Sequence, residues 1–231
     1  MLLWITGQIQ LPDGGPRYTE TDLSQWIVEP WNGVSAIIFL GIVMYWAFKL
    51  RGQFRQYLFL GISTVVLGIG GLGGTIYHLF RVSAVYLYMD WVPILLLCMA
   101  TSIYFFILGM GGKWHLPVII WVLVAGSQVV MFNMDWIPER YAVNINYATM
   151  ALMVLIPTFL VLRRFHLKGW YWIVLALVAF CLALFFRIAD PWGWLPMGTH
   201  FLWHVFGAIA CGAMFQYVYV LDTLRLEENA S

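Results

Sequence analysis

Seven stretches of this chain are long and apolar enough to cross a lipid bilayer, and no other feature constrains its fold as strongly. A hydrocarbon core about 30 Å thick takes about 20 apolar residues wound as a helix. The candidates are residues 33–50, 57–80, 84–109, 115–133, 142–162, 169–188 and 198–221. Between them "KLRGQFR", "GMGGKW", "NMDWIPER", "RRFHLKG" and "ADPWGWLP" combine charge with Gly or Pro, as helix connections do. Composition agrees: 62% of residues are hydrophobic and 10% charged, which identifies an integral membrane protein rather than a soluble domain. No repeat or composition boundary divides the chain, so residues 1–231 are expected to form one all-α domain, a seven-transmembrane helix bundle.

Charge then orients the bundle. The net charge of +1, without a Lys/Arg run, excludes nucleic acid as a partner, because such binding rests on clustered positive charge. With seven spans, eight basic residues fall on one side: Lys49, Arg51, Arg55, Lys113, Arg163, Arg164, Lys168 and Arg225. Four fall on the other: Arg17, Arg81, Arg140 and Arg187. The positive-inside rule makes the richer side cytoplasmic. The N-terminal segment 1–32 is therefore expected outside, and a short tail, 222–231, inside. Trp31, Trp114, Trp136, Trp170, Trp192 and Trp194 sit near predicted helix ends, where indole prefers the headgroup layer. The opening "MLLWITGQIQLPDGG" has neither a basic n-region nor a long apolar h-region and does not read as a cleaved signal. Cys98, Cys181 and Cys211 lie inside apolar runs and read as small buried hydrophobes, not as a disulfide framework.

Four ionisable residues from three distant segments now fall at one depth in the outer leaflet. His78 is near the outer end of segment 2, Asp90 near the outer start of segment 3, and His200 and His204 near the outer start of segment 7. Ionisable groups inside spanning helices are functional by default. His200 and His204 are four residues apart, so they share a helical face and can reach one metal ion. His78 supplies a third imidazole. Three protein ligands with one open position describe a catalytic zinc site, and Asp90 would stand free to take a proton from water there. His115 and His166, single residues at helix ends, receive no role.

The order H…D…HxxxH across segments 2, 3 and 7 resembles the seven-helix zinc hydrolases that include the alkaline ceramidases and the adiponectin/progestin receptors. "VEPWNGVS" before helix 1 and "HFLWH" in segment 7 resemble the ceramidase branch, and "FRIAD" at the end of segment 6 does so more faintly. The resemblance implies that His78, His200 and His204 hold Zn²⁺ and that Asp90 activates the bound water for attack on the amide of a ceramide-like membrane lipid. Where that family has Ser four residues before the first His, this chain has Gly74, with Thr75 as the nearest hydroxyl to assist catalysis. Trp203, before the second His of the pair, would contact substrate. The resemblance further implies Ca²⁺ held by Glu29, with Glu20, Asp22 and Asn32 as further candidates; otherwise Glu29 caps the first helix of a solvated acidic loop.

Other classes fit the residues less fully. A haem protein with bis-His ligation would leave one segment 7 imidazole and Asp90 unexplained. A receptor or transporter with a structural zinc would recruit a fourth protein ligand, for which Asp90 is available. A retinal Schiff base is excluded from segment 7, because no lysine follows Lys168. "GVSA" lacks the elbow that a serine nucleophile requires.

Overall fold

The computed structural model describes residues 11, 13–132 and 139–230. Among these residues the fold is all helical: α1 (Pro30–Lys49), α2 (Leu58–Phe80), α3 (Ala84–Gly109), α4 (His115–Phe132), α5 (Glu139–Arg164), α6 (Trp170–Ala189) and α7 (His200–Ala230). A 3₁₀ turn, Asp190–Trp192, follows α6. Among the described residues five of these helices, α1, α2, α3, α6 and α7, are long and apolar enough to cross a membrane. In α4 the apolar stretch among the described residues is His115–Val124. Trp136, expected at an interface, and the side chain of Arg140, counted as outer charge, lie outside the described residues.

The chain packs as two compact units. One comprises the residues up to Leu95 and those from Gly169 onward; the other is Leu96–Lys168. The second has its own small core, in which Phe106, Trp121 and Met153 are buried against Met99, Ile103, Ile120 and Leu160. Ser102 donates to the Met153 carbonyl and Arg164 to that of Leu108.

In the first unit, polarity is distributed in the reverse of a soluble protein. Ile37, Ile38, Val174, Val178 and Phe180 are exposed, while His78, His200, Glu29 and Asn32 are as fully buried as Trp46, Tyr77 and Leu60. An apolar exterior around a polar interior is what lipid as a solvent selects. It also corrects the reading of the cysteines as buried, since Cys98 and Cys181 lie on exposed surface; no disulfide joins the three. Trp31, Trp114, Trp170, Trp192 and Trp194 are exposed, as interfacial rings would be. His115 and His166 are exposed too.

Helix boundaries follow local chemistry. α1 begins three residues earlier than expected, at Pro30, whose fixed φ suits the first helical position and whose missing N–H is no loss there. The Glu20 carboxylate receives the next two amides, Trp31 N at 2.5 Å and Asn32 N at 2.9 Å. Glu20, rather than Glu29, therefore caps α1. α7 runs on to Ala230, so the expected tail at 222–231 is helical through that residue. It carries Asp222, Arg225, Glu227 and Glu228 there, and Asp222 meets Arg225 at 3.4 Å one turn on. α2 carries glycine at 70, 71, 73 and 74, and a side chain at Gly73 would collide with the Met89 backbone, so α3 lies directly against α2 at this level.

Candidate metal centre

α7 places two imidazoles because its first turn is pinned. Asp190 Oδ1 accepts the amides of Thr199 (2.8 Å) and His200 (2.9 Å). Its other oxygen accepts Thr19 N at 2.9 Å, and Thr19 Oγ1 donates to the Asp190 carbonyl at 2.7 Å. A carboxylate at a helix N-terminus satisfies orphan amides and complements the dipole. Asp190 thus fixes where α7 starts and ties the N-terminal segment across it.

From that start His200 and His204 point to His78 on α2. The ring centroids are 4.9 Å apart for His200–His204, 4.8 Å for His78–His204 and 5.3 Å for His78–His200. One ligand atom from each ring lies within 4.8 Å of the others, and all three side chains are buried. Among the described residues this is the one group of three or more His, Cys, Asp or Glu side chains close enough to share an ion.

Hydrogen bonds at the far side of two of the rings decide what remains for an ion. His78 Nδ1 donates to Glu29 Oε2 at 2.6 Å, and its Nε2 is buried without a partner. Ser35 gives its hydroxyl proton to the Asn32 carbonyl (2.9 Å), so its oxygen is assigned as the acceptor for His204 Nδ1 (2.8 Å). His204 Nε2 is left for a ligand. His200 Nδ1 is also buried and unpartnered, and its ring stacks on Tyr18 at 3.8 Å. Buried ring nitrogens without partners are costly unless something fills the space between them. Imidazoles oriented by a carboxylate and a hydroxyl have the second layer that metal-binding histidines show. The residues therefore fit a zinc ion.

Asp90 completes the arrangement. Its Oδ2 lies 4.0 Å from His78 Nε2, too far for a hydrogen bond and close enough for a water to sit beside both. No protein hydrogen bond holds Asp90 among the described residues, and its side chain is 24% exposed while that of His78 is sealed. The carboxylate rests on Gly74, where a β-carbon would collide with Oδ1. A serine at this position would need the space that the α3 acid takes.

The remaining expected residues are placed differently. Thr75 donates its hydroxyl proton to Gly71 O one turn back, at 2.7 Å, so the proton is not offered to substrate. Trp203 packs on α6, with Phe180 at 6.2 Å and the Arg187 guanidinium over its ring at 5.0 Å. Asp22 lies in an exposed turn, accepting the Ser24 amide and hydroxyl. Glu29 accepts from Thr21 (2.6 Å), Arg81 (2.6 Å), His78 (2.6 Å) and Asn32 (3.3 Å). Burial alone would raise its carboxyl, but the His78 ring and the Arg81 charge outweigh that and hold it below the usual carboxylate range. Glu20, Asp22 and Glu29 are not gathered around a common point.

Sequence reasoning missed Tyr18, Ser35, Arg81 and Asp190 as parts of the site. Ser35 and His204 are 169 residues apart and Asp190 and Thr19 are 171 apart, separations at which spacing carries no signal. Compared with known protein families and with curated proteins, the chain matches none. The likeness to ceramidases therefore rests on the short motifs that line this centre.

Proposed function

We propose that this protein is a zinc-dependent intramembrane hydrolase that cleaves an amide bond in a ceramide-like lipid. The observation that carries the reading is the convergence of three buried imidazoles, two with their outer nitrogens already engaged, beside an acid that nothing else holds. His78, His200 and His204 would hold the ion. When bound, zinc supplies Lewis acidity toward a carbonyl oxygen and toward a water beside it. Glu29 and Ser35 keep the rings in the tautomer that leaves a nitrogen free. Asp90 Oδ2 takes a proton from water as its oxygen adds to the amide carbon; the C–N bond then breaks, and the same carboxyl returns the proton to the leaving amine. The products are a fatty acid and an amine.

In this reading all seven helices cross the bilayer, with the N-terminus extracytoplasmic and the C-terminus cytoplasmic. His78 lies in the last turn of α2, Asp90 in the second turn of α3 and His200 at the start of α7, so the centre sits at the level where a lipid amide meets the headgroup layer.

Asp90→Asn tests the assignment, because it keeps shape and removes the base. The variant should fold, retain zinc by elemental analysis and lose turnover of a fluorescent ceramide by roughly two to four orders of magnitude. Loss of zinc would make Asp90 a fourth ligand and favour a receptor or transporter with a structural metal. Undiminished turnover with zinc retained would place the base elsewhere.

A further inference from the structure

We infer that Arg81 is the resident cation of the extracytoplasmic segment, standing where the family resemblance puts calcium, and that the centre is consequently assembled without Ca²⁺. The inference deepens the reading of the same site, yet it rests on the arrangement around Glu29 and not on the hydrolysis.

Calcium takes roughly six to eight oxygens. The four residues named for it do not have them to give. Both oxygens of Glu29 are engaged by four protein donors, and both oxygens of Glu20 by the first amides of α1. Asp22 is turned into its own loop. Asn32 Oδ1 alone is buried and unpartnered, one oxygen where six or more are needed.

Arg81 occupies the position instead. Its Nε and Nη2 grip the two oxygens of Asp13 at 2.6 and 2.9 Å, while Nη1 reaches Glu29 Oε1 at 2.6 Å and the Pro16 carbonyl at 3.1 Å. The guanidinium lies over the Tyr77 ring at 4.6 Å, and the side chain is completely buried. This is the planar fork geometry for which arginine is suited and a spherical ion is not. Two further details show that the chain is built around it. Arg81 closes α2 with φ +51°, a left-handed conformation in which glycine is easier, so a strained backbone is accepted where the side chain is needed. Gly15 lies so close that a β-carbon there would collide with Tyr77 Oη, which lets the N-terminal segment lie flat on the pair. Arg81 is thus a positioning residue: it connects Asp13 to Glu29, and Glu29 orients His78.

The test uses the purified full chain in lipid nanodiscs, stripped of divalent ions and reloaded with zinc only, because calcium chelators also remove zinc. Wild type should bind no radioactive calcium at equilibrium, and added CaCl₂ at constant zinc should leave its unfolding midpoint unchanged. Arg81→Ala leaves two buried carboxylates facing an empty space; its midpoint should fall by about 5 °C or more, and CaCl₂ should restore part of the loss. Asp13→Asn, which keeps Arg81 on Glu29, should lose less and gain nothing from calcium. One-to-one calcium binding by wild type, or a calcium-dependent rise in its midpoint, would overturn the inference. So would an Arg81→Ala protein as stable as wild type. If that variant cannot be purified, the calcium-blind wild type and Asp13→Asn decide. None of these readouts requires turnover, so the hydrolase reading can fail while this one stands.

Discussion

Each imidazole of the centre is held by a different device, and the devices differ in what their removal costs. Ser35 touches His204 through one hydrogen bond and forms no part of the chemistry. Ser35→Ala should therefore leave a folded protein whose zinc affinity, measured by competition with a chromogenic chelator, is about 10–100-fold weaker, the usual cost of losing an outer partner. An unchanged affinity would mean that the His204 tautomer is not set by Ser35. Gly74 makes the opposite kind of contribution, by absence. Gly74→Ser installs the serine that the ceramidase-like motif carries, and its β-carbon must displace the Asp90 carboxylate. Zinc should stay, while ceramide turnover falls at least tenfold; equal turnover would show that Asp90 relocates without penalty. The meeting of the three histidines was legible in the sequence because helical spacing and depth are one-dimensional properties. Their partners were not. Glu29 was read as a calcium ligand or a cap and Ser35 as a failed nucleophile, since a hydrogen bond across 49 or 169 residues leaves no periodic trace.

Helices in this protein are started by side chains that lie elsewhere in the sequence. Glu20 receives the first amides of α1 from eleven and twelve residues away, and Asp190 receives those of α7. Apolar run length located the helices within a few residues, except the charged end of α7, which runs nine residues further, and could not reveal which acid caps which end. Asp190→Ala removes the acceptor of two helix amides and of Thr19 N together. A lost cap alone costs about 0.5–2 kcal/mol, and here His200 is the first residue of the helix it starts. The variant should therefore unfold at lower temperature and hold zinc more weakly, by differential scanning fluorimetry and metal titration respectively. Normal zinc affinity in a destabilised variant would separate the cap from the centre.

Across the whole chain, topology is the property on which the site's access depends. Two of the four arginines counted on the outer side, Arg81 and Arg187, are committed to internal partners, so the outer face offers less free positive charge than the sequence count suggests. Arg81 is buried and makes a poor labelling site; Gln25, in the exposed turn before α1, is a better one. With Cys98, Cys181 and Cys211 replaced, a cysteine at position 25 should react with a membrane-impermeant maleimide in intact cells, and reaction only after permeabilisation would invert the topology. The two bonds between Thr19 and Asp190 reach across 171 residues. During biosynthesis Arg81 at the end of α2 can take Asp13 and Glu29 early, but Thr19 has no Asp190 to bind until the ribosome has translated the end of α6, and His78 waits for the other two histidines until α7 follows. On the proposed function, zinc capture is then a post-translational event, and metal content should report whether the last helix of a newly made chain was inserted.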